Sequence, residues 1–409
     1  LATLFEEKND KWAEPEHPAF FHSKASNDFI WISERDGYNN LYLYDINGTL
    51  KKQLTSNKFV VKSIFEGLEG DKIFFTATGI DPKNTMLFSV DLNGSQTQLT
   101  TTPGVHTNVV HPKGTMYFDQ YSSLAIPNVA QICSISGTIV KELIAAENPL
   151  KDYSVGTVEF LKLTSEDGQD LHGRIVKPSN FDASKKYPVL VYVYGGPHAQ
   201  MVTNEFMGNV DYWMLWMAEQ GYVVFTLDNR GSGERGAAFE QVIHRQVGTA
   251  EIADQMVGVN YLKSLNFVDG NRIAVHGWSF GGFMTTSLLL RQPDVFRAGV
   301  AGGPVTDWKY YEIMYGERYM DRPQENEKGY EQASTLTHAD KLKGKLLLIH
   351  GTVDDVVVMQ HSEALIKRFV EVDKQMDFFV YPMHEHNVRG KDRIHLMTKV
   401  LNYILDNNK

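Results

Sequence analysis

The chain has 409 residues, 42% of them hydrophobic, 22% charged and 11% aromatic, the balance of a folded protein of two or three domains. Forty basic against fifty acidic residues give a net charge of −10, which argues against a polyanion such as nucleic acid as partner. Cys133 is the lone cysteine, so an internal disulfide and a cysteine-rich zinc site are excluded, and no apolar run reaches the roughly 18 residues of a membrane-spanning helix.

Up to about residue 150 the sequence reads as short, alternating, aromatic and β-branched strands between Gly, Asn and Asp turns. Leu41-Tyr42-Leu43-Tyr44-Asp45-Ile46-Asn47-Gly48 returns as Leu87-Phe88-Ser89-Val90-Asp91-Leu92-Asn93-Gly94, with Leu54-Thr55 and Leu99-Thr100 following in each copy. A weaker third copy runs through Gln131-Ile132-Cys133-Ser134-Ile135-Ser136-Gly137. Repeats of about 40–50 residues built from a few strands are the signature of propeller blades, and closure takes at least about four. Room for about three suggests a chain that begins partway through a propeller, and no basic and apolar leader follows Leu1. An unrelated β-sandwich is the plainer alternative. Asn47-Gly48 and Asn93-Gly94 read as Asn-Gly hairpin turns, which suffices without a glycosylation role.

Residues 145–152 read as a linker, dividing a partial propeller, 1–150, from a second domain, 151–409. There a hairpin, 158–163 with 171–177, precedes short apolar runs at 189–194, 222–227, 272–276, 298–301, 346–349 and 376–381. Helical patterns intervene at 212–220, 250–263, 281–291, 360–370 and 391–406. Buried strands alternating with helices predict a doubly wound, mostly parallel sheet, with a site at the carboxyl ends of its strands.

One of those strands runs directly into Gly277-Trp278-Ser279-Phe280-Gly281-Gly282 and a helix. This is G-x-S-x-G in strand–turn–helix context, the nucleophile elbow of an α/β hydrolase. So tight a turn needs small neighbours, and it lifts the Ser279 hydroxyl to a helix N-terminus whose amides face developing negative charge. A serine hydroxyl also needs a histidine to take its proton and a carboxylate to orient that histidine, in the chain order serine, acid, histidine. The run 346–349 opens into His350-Gly351-Thr352-Val353-Asp354-Asp355, and the run 376–381 opens into Pro382-Met383-His384-Glu385-His386-Asn387. Asp354 and His386 are the choices; Asp355 reads equally as a solvated turn carboxylate, and spacing alone leaves His384 against His386 near even. His361 and His395 fall in helical patterns as packed or exposed residues.

Weaker signals surround these. Tyr194, at the end of an early strand in Tyr194-Gly195-Gly196-Pro197, can offer its phenol beside the Phe280 N–H as an oxyanion donor, or simply pack. Gly231-Ser232-Gly233-Glu234-Arg235-Gly236 is a literal G-x-G-x-x-G with Asp254 further on, but Asp228-Asn229-Arg230 separates it from its strand, so a dinucleotide site is rejected. His384 and His386 lack a third ligand for a metal, and no metal or organic cofactor is implied.

These motifs resemble the prolyl oligopeptidase family of serine peptidases, specifically its dipeptidyl peptidase IV branch. The quoted stretches are Tyr194-Gly195-Gly196-Pro197, Asp228-Asn229-Arg230-Gly231-Ser232-Gly233, the elbow, and His350-Gly351-Thr352-Val353-Asp354-Asp355. The resemblance implies an α/β hydrolase preceded by the C-terminal blades of a β-propeller. It makes Ser279, Asp354 and His386 the triad, and Tyr194 and Phe280 the oxyanion donors. Phe280, Val305, Trp308, Tyr311 and Tyr315 become the wall of a proline pocket, although the spacing of 308, 311 and 315 alone suits an ordinary helical core stripe. Two departures touch specificity. Val356 stands where the branch usually carries an asparagine that donates to a substrate carbonyl, and Asn387 stands where a glycine usually follows the histidine. Paired glutamates anchor the substrate amine in this branch; Glu6-Glu7 has the wrong context and is rejected, and Glu312 reads evenly as a further amine anchor or as the partner of Arg318.

The expected activity is therefore a serine exopeptidase that cleaves after proline and releases a di- or tripeptide, with bacterial prolyl tripeptidyl aminopeptidases the nearest likeness. The implied partners are peptides with proline near the N-terminus and a second copy in a homodimer, and the implied location is extracytoplasmic, the periplasm or cell surface. An endo-acting oligopeptidase, an acylaminoacyl peptidase or an esterase on the same scaffold is the competing enzyme reading. A catalytically silent peptide-binding protein is the competing reading of another class.

Overall fold

The computed structural model describes residues 3–14, 18–21, 27–66 and 70–409. It separates into two compact units, one of Leu1–Tyr153, Val202–Asn209 and Gly233–Gln241, the other of Ser154–Met201, Val210–Ser232 and Val242–Lys409.

The first unit is built from three antiparallel meanders. β1 (Asp28–Ser33), β2 (Asn40–Asp45) and β3 (Leu50–Gln53) make a three-stranded sheet. Four-stranded sheets follow from β4 (Val61–Ile64), β5 (Lys72–Ala77), β6 (Met86–Asp91) and β7 (Gln96–Gln98), and from β8 (Val105–Val110), β9 (Met116–Ser123), β10 (Ile126–Ser134) and β11 (Ile139–Ala145). Because side chains alternate along a strand, β5 and β6 bury both faces. Phe75 and Phe88 join Ile30, Leu41 and Leu43, whereas Phe74 and Leu87 join Val110, Tyr117 and Cys133. The middle sheet thus sits face to face with both neighbours, the packing of propeller blades.

The repeat has a physical cause. Asp45 Oδ1 accepts the amides of Asn47 and Thr49 at 2.9 and 2.8 Å, and Asp91 Oδ1 accepts those of Asn93 and Ser95 at the same distances. These amides hold both carboxyls below their ordinary range. Gly48 and Gly94 both lie at φ +82°, closing three-residue loops in which glycine alone is left-handed. Asn47 and Asn93 are not at positive φ, so these are not the two-residue Asn-Gly turns the dipeptides suggest. The third copy substitutes Ser134, whose Oγ accepts the Thr138 amide, with Gly137 at φ +84°. Thr55 and Thr100, the next repeated residues, accept the amides of Leu41 and Leu87 through their hydroxyls. A one-turn helix, α2 (Ala237–Glu240), also belongs to this unit.

The second unit is an eight-stranded sheet in the order β12-β13-β15-β14-β16-β17-β18-β19. Its strands are β12 (Thr157–Thr164), β13 (Asp170–Lys177), β14 (Tyr187–Tyr192), β15 (Val223–Leu227), β16 (Val268–Trp278), β17 (Ala298–Gly302), β18 (Lys345–Gly351) and β19 (Asp377–Tyr381). β12, β13 and β15 pair antiparallel, and every pairing from β15 across to β19 is parallel. β15 and β17 are buried at every residue, as strands covered on both faces must be. The helices are α1 (Tyr212–Glu219), α3 (Ala250–Ser264), α4 (Phe280–Arg291), α5 (Ile313–Met320), α6 (Glu327–Ala333), α7 (Gln360–Glu371) and α8 (Asp392–Asn407). This is the α/β-hydrolase fold. α5 and α6 lie outside the helical patterns assigned above, although the spacing of 308, 311 and 315 suits a helix, and they interrupt the β17–β18 connection.

Candidate active site

Ser279 follows β16 and precedes α4 with φ 61° and ψ −118°, left-handed backbone that a serine adopts only under constraint. The constraint is visible. Its N–H donates to Gly302 O at 2.8 Å, and its own carbonyl accepts the Phe283 amide at 3.0 Å. A Cβ on Gly277 would stand 2.3 Å from Val193 O, and one on Gly281 would also stand 2.3 Å from Val193 O. Only glycine lets the elbow close against the end of β14, so both expected small residues have a steric reason.

The parallel sheet brings the ends of β18 and β19 together, and their loops interlock. Val353 N–H donates to His384 O, and Met383 N–H donates to Thr352 Oγ1. In that frame His386 Nδ1 lies 2.8 Å from Asp354 Oδ2. Trp278, beside the serine, donates its indole N–H to His386 O at 2.8 Å, and the imidazole Cε1 lies 3.2 Å from where a Cβ on Gly303 would stand. Ser279, Asp354 and His386 therefore share one corner of the sheet. Among the described residues the Ser279 hydroxyl makes no hydrogen bond to the ring, a separation common before substrate arrives. Burial pushes the Asp354 carboxyl up, but hydrogen bonds from His350, His386 and the Val357 amide outweigh it and hold it far below the usual carboxylate range. The acid thus stays ionised beside the His386 imidazole.

The near-even pair of histidines separates on geometry. His384 Nε2 faces the exposed Asp392 at 2.7 Å, away from Asp354. His395 Nδ1 faces the Tyr381 hydroxyl, and His361 is buried on α7. Asp355 is exposed.

Tyr194 continues from Val193 past the carbonyl on which both elbow glycines close, and its ring centroid is 6.1 Å from that of Phe280. Burial raises its phenol pKa, so the hydroxyl remains a donor at neutral pH. Asn229 holds this loop by donating to Gly195 O at 3.0 Å. Asn229 is steadied in turn by Gln255, which donates to its Oδ1. Arg230 grips Asp254 through Nε and Nη2, with 2.7 Å the shortest contact, so the acid that completes a nucleotide-binding spacing is a structural anchor.

The expected pocket residues converge into one aromatic cluster. Trp308 lies 5.4 Å from Phe280, 5.6 Å from Tyr311 and 5.6 Å from Tyr315, the last pair stacked at 8°. Tyr311 and Tyr315 meet edge-on at 5.1 Å. Phe280, Val305 and Trp308 are buried. The helix-like spacing is coincidental: Tyr311 and Glu312 are extended, breaking the chain between the turn at Trp308–Tyr310 and α5. Burial drives Tyr315 well above the ordinary phenol range, with Tyr194, Tyr319 and Tyr311 adding to the shift, so four phenols share this space. Glu312 is exposed at the head of α5, and Val356 is exposed with its amide on Asp354 Oδ1 at 3.0 Å. Glu7, set aside on sequence, is occupied by Trp31 Nε1 and Arg35, and Glu6 pairs with Lys8.

Sequence reasoning missed the residues that hold Asp354 from behind. His350 Nε2 lies 2.7 Å from Val357 O and 3.3 Å from Asp354 Oδ2, and its Nδ1 lies 2.8 Å from Ser362 Oγ. The signal was present as a histidine four positions before an acid at the end of an apolar strand. Among the described residues no cluster of three or more His, Cys, Asp or Glu is placed to hold a metal, and no helix is long and apolar enough to cross a membrane.

Residues 209–409 match the prolyl oligopeptidase family model, and residues 1–128 match that of the dipeptidyl peptidase IV N-terminal region. Human dipeptidyl peptidase 8 is 33% identical over 82% of this chain and 39% of its own length. A probable dipeptidyl-aminopeptidase B of Arthroderma gypseum is 33% identical over 92% of the chain and 43% of its own length. The chain thus spans less than half of either relative. A solved putative dipeptidyl aminopeptidase IV of Bacteroides ovatus superposes with a TM-score of 0.94 at 42% identity, covering 98% of this chain and 60% of that one. Porphyromonas gingivalis dipeptidyl peptidase 4 superposes at 0.91 and 31% identity, with 98% and 57% covered. Blades, hydrolase sheet and both family models agree along the sequence, and the chain belongs to the prolyl oligopeptidase family of serine peptidases, in its dipeptidyl peptidase IV branch.

Proposed function

We propose that this chain carries the catalytic centre of a serine exopeptidase that cleaves after proline. The observation that carries the reading is the Asp354–His386 contact of 2.8 Å beside a strained Ser279 elbow. Ser279 Oγ attacks the carbonyl of the proline residue while His386 takes its proton, and the new C–O bond leaves an oxyanion facing the Phe280 N–H and the Tyr194 phenol. His386 returns the proton to the leaving amine as the C–N bond breaks. Water repeats the sequence on the acyl-enzyme and frees a short N-terminal peptide.

The aromatic cluster supports the preference for proline, because a compact, rigid apolar ring is buried between flat walls at little entropic expense. The relatives' names favour release of two residues over three. Glu312 is the candidate for an additional contact to the substrate amine. The division into a propeller portion, 1–150, and a catalytic portion, 151–409, an extracytoplasmic location and a homodimer complete the proposal.

The test compares Ala-Pro, Ala-Ala-Pro and acetylated Ala-Pro amides on the whole protein and its Ser279→Ala variant. Turnover of one free-amine substrate, its loss in the variant and rejection of the capped peptide are expected. Equal turnover of the capped peptide would move the assignment to an acylaminoacyl or endo-acting peptidase. A folded wild-type protein that neither turns over these substrates nor takes a fluorophosphonate label at Ser279 would make it a silent binding protein.

A further inference from the structure

We infer that His350 is a positioning residue for the reaction, holding the Asp354 carboxylate at the angle His386 needs; this rests on reading Ser279, Asp354 and His386 as a triad. His350 is completely buried, at the last turn of β18, and its two nitrogens face different chemistry. Nε2 points at two acceptors, Val357 O at 2.7 Å and Asp354 Oδ2 at 3.3 Å, so Nε2 carries the proton and shares it between them. Nδ1 faces Ser362 Oγ at 2.8 Å, and the hydroxyl, which can turn, donates to it. Ser362 thereby fixes the tautomer that serves Asp354.

The carboxylate is then held at every lobe. Oδ1 accepts the amides of Val356 and Val357 at 3.0 and 2.8 Å, and Oδ2 accepts from His386 at 2.8 Å and from His350. The two amides come from the same loop as the acid and move with it. His350 and Ser362 come from β18 and α7 and tie that loop to the body of the sheet. The adjacent His361 reaches the other way, accepting the Thr306 amide at Nδ1 while its carbonyl accepts the Thr306 hydroxyl, next to Val305 of the pocket wall. One helical turn therefore sets both the acid and the pocket. The groups facing His350 are Asp354 and the Val357 carbonyl from its own connection and Ser362 from α7, with His361 and, across the shared Asp354 oxygen, His386 as further titratable groups.

The experiment measures kcat, KM and the pH profile of kcat/KM for the whole protein with His350→Leu, His350→Gln and Ser362→Ala. His350→Leu is expected to lower kcat at least about tenfold with KM within about twofold. Its acid limb should move to higher pH, because a carboxylate that has lost a donor holds the His386 proton more tightly. Glutamine, which can place an N–H near the same point, should restore most of kcat and the limb. Ser362→Ala should show a smaller loss of the same kind, which keeps the test decisive if His350→Leu does not fold. Wild-type kcat and an unshifted limb in Ser362→Ala and in whichever His350 variant folds would overturn the inference, as would glutamine performing no better than leucine. Activity in Ser279→Ala would instead sink the triad reading itself, so the two failures are distinguishable.

Discussion

Replacing Gly281 by alanine adds a single methyl group and tests the elbow at its tightest point. The added Cβ would stand 2.3 Å from Val193 O and 3.2 Å from Tyr194 Cα, where real Cβ contacts essentially never fall under 3.0 Å. No flexible side chain stands in the way to yield, so backbone must open by about 0.7 Å. The displaced atoms carry the Phe280 N–H on one side and Tyr194 on the other, the two donors proposed above for the oxyanion. A misplacement of about 1 Å can lower a rate by about a hundredfold, so Gly281→Ala should lose about one to two orders of magnitude in kcat/KM. Overpacking of this kind also destabilises by about 1–3 kcal/mol. The assay is steady-state turnover of a free-amine proline substrate beside a thermal melt. Turnover within about twofold of the parent, in a protein that melts normally, would refute the steric account of the elbow and the oxyanion placement built on it.

Further outcomes follow from the same geometry. His386→Ala should abolish turnover whereas His384→Ala, which releases a surface contact to exposed Asp392 and an edge contact to the Tyr381 ring, should leave kcat within about threefold in the same assay. Val356→Asn places a donor on the exposed side of the acid loop, and one added hydrogen bond of about 1 kcal/mol should raise kcat/KM about fivefold, read most clearly as a fall in KM. Burial lowers the His276 imidazole from 6.5 to about 4 beneath the elbow, where it donates from Nδ1 to Val300 O at 2.8 Å. The unfolded chain therefore binds the extra proton as pH falls from about 6.5 to about 4, costing on the order of 3 kcal/mol of stability that is present in full above that window. Denaturant unfolding at pH 7.5 and pH 5 should show about 2 kcal/mol of that loss, since pH 5 lies inside the window, and His276→Asn, which keeps a donor but cannot titrate, should flatten it.

What was legible in the sequence was whatever depends on local chemistry. The blades announced themselves because Asp45 and Asp91 close identical turns through their own side chains, and the weaker third copy reflects the serine that replaces them. The elbow was legible because its glycines are required by contacts within a few residues of Ser279 and at the end of one neighbouring strand. The choice between His384 and His386 was not, since two residues of spacing say nothing about which ring turns inward past Met383, itself left-handed at φ 59°. The spacing of Trp308, Tyr311 and Tyr315 pointed to a helix that the extended Tyr311 and Glu312 interrupt, yet the rings still meet. Helix periodicity describes a backbone, whereas a pocket needs only that side chains arrive at one place.

The support behind Asp354 shows why the least legible part of a site can govern it. Strand order β16-β17-β18-β19 sets acid and base on adjacent strand ends and the serine on the far side of β17, a consequence of the sheet alone. The sheet does not fix the rotation of a carboxylate, which decides whether His386 keeps its Nδ1 proton directed inward. That rotation is set by a histidine four residues before the acid, at the end of the same strand, and by a serine from the next helix, whose roles the motif around the acid does not itself spell out. A buried polar group left unanswered is costly, and both nitrogens of His350 are answered. A substitution there removes no reacting atom, so it should leave binding of the proline ring to the aromatic wall intact while slowing the chemistry that follows.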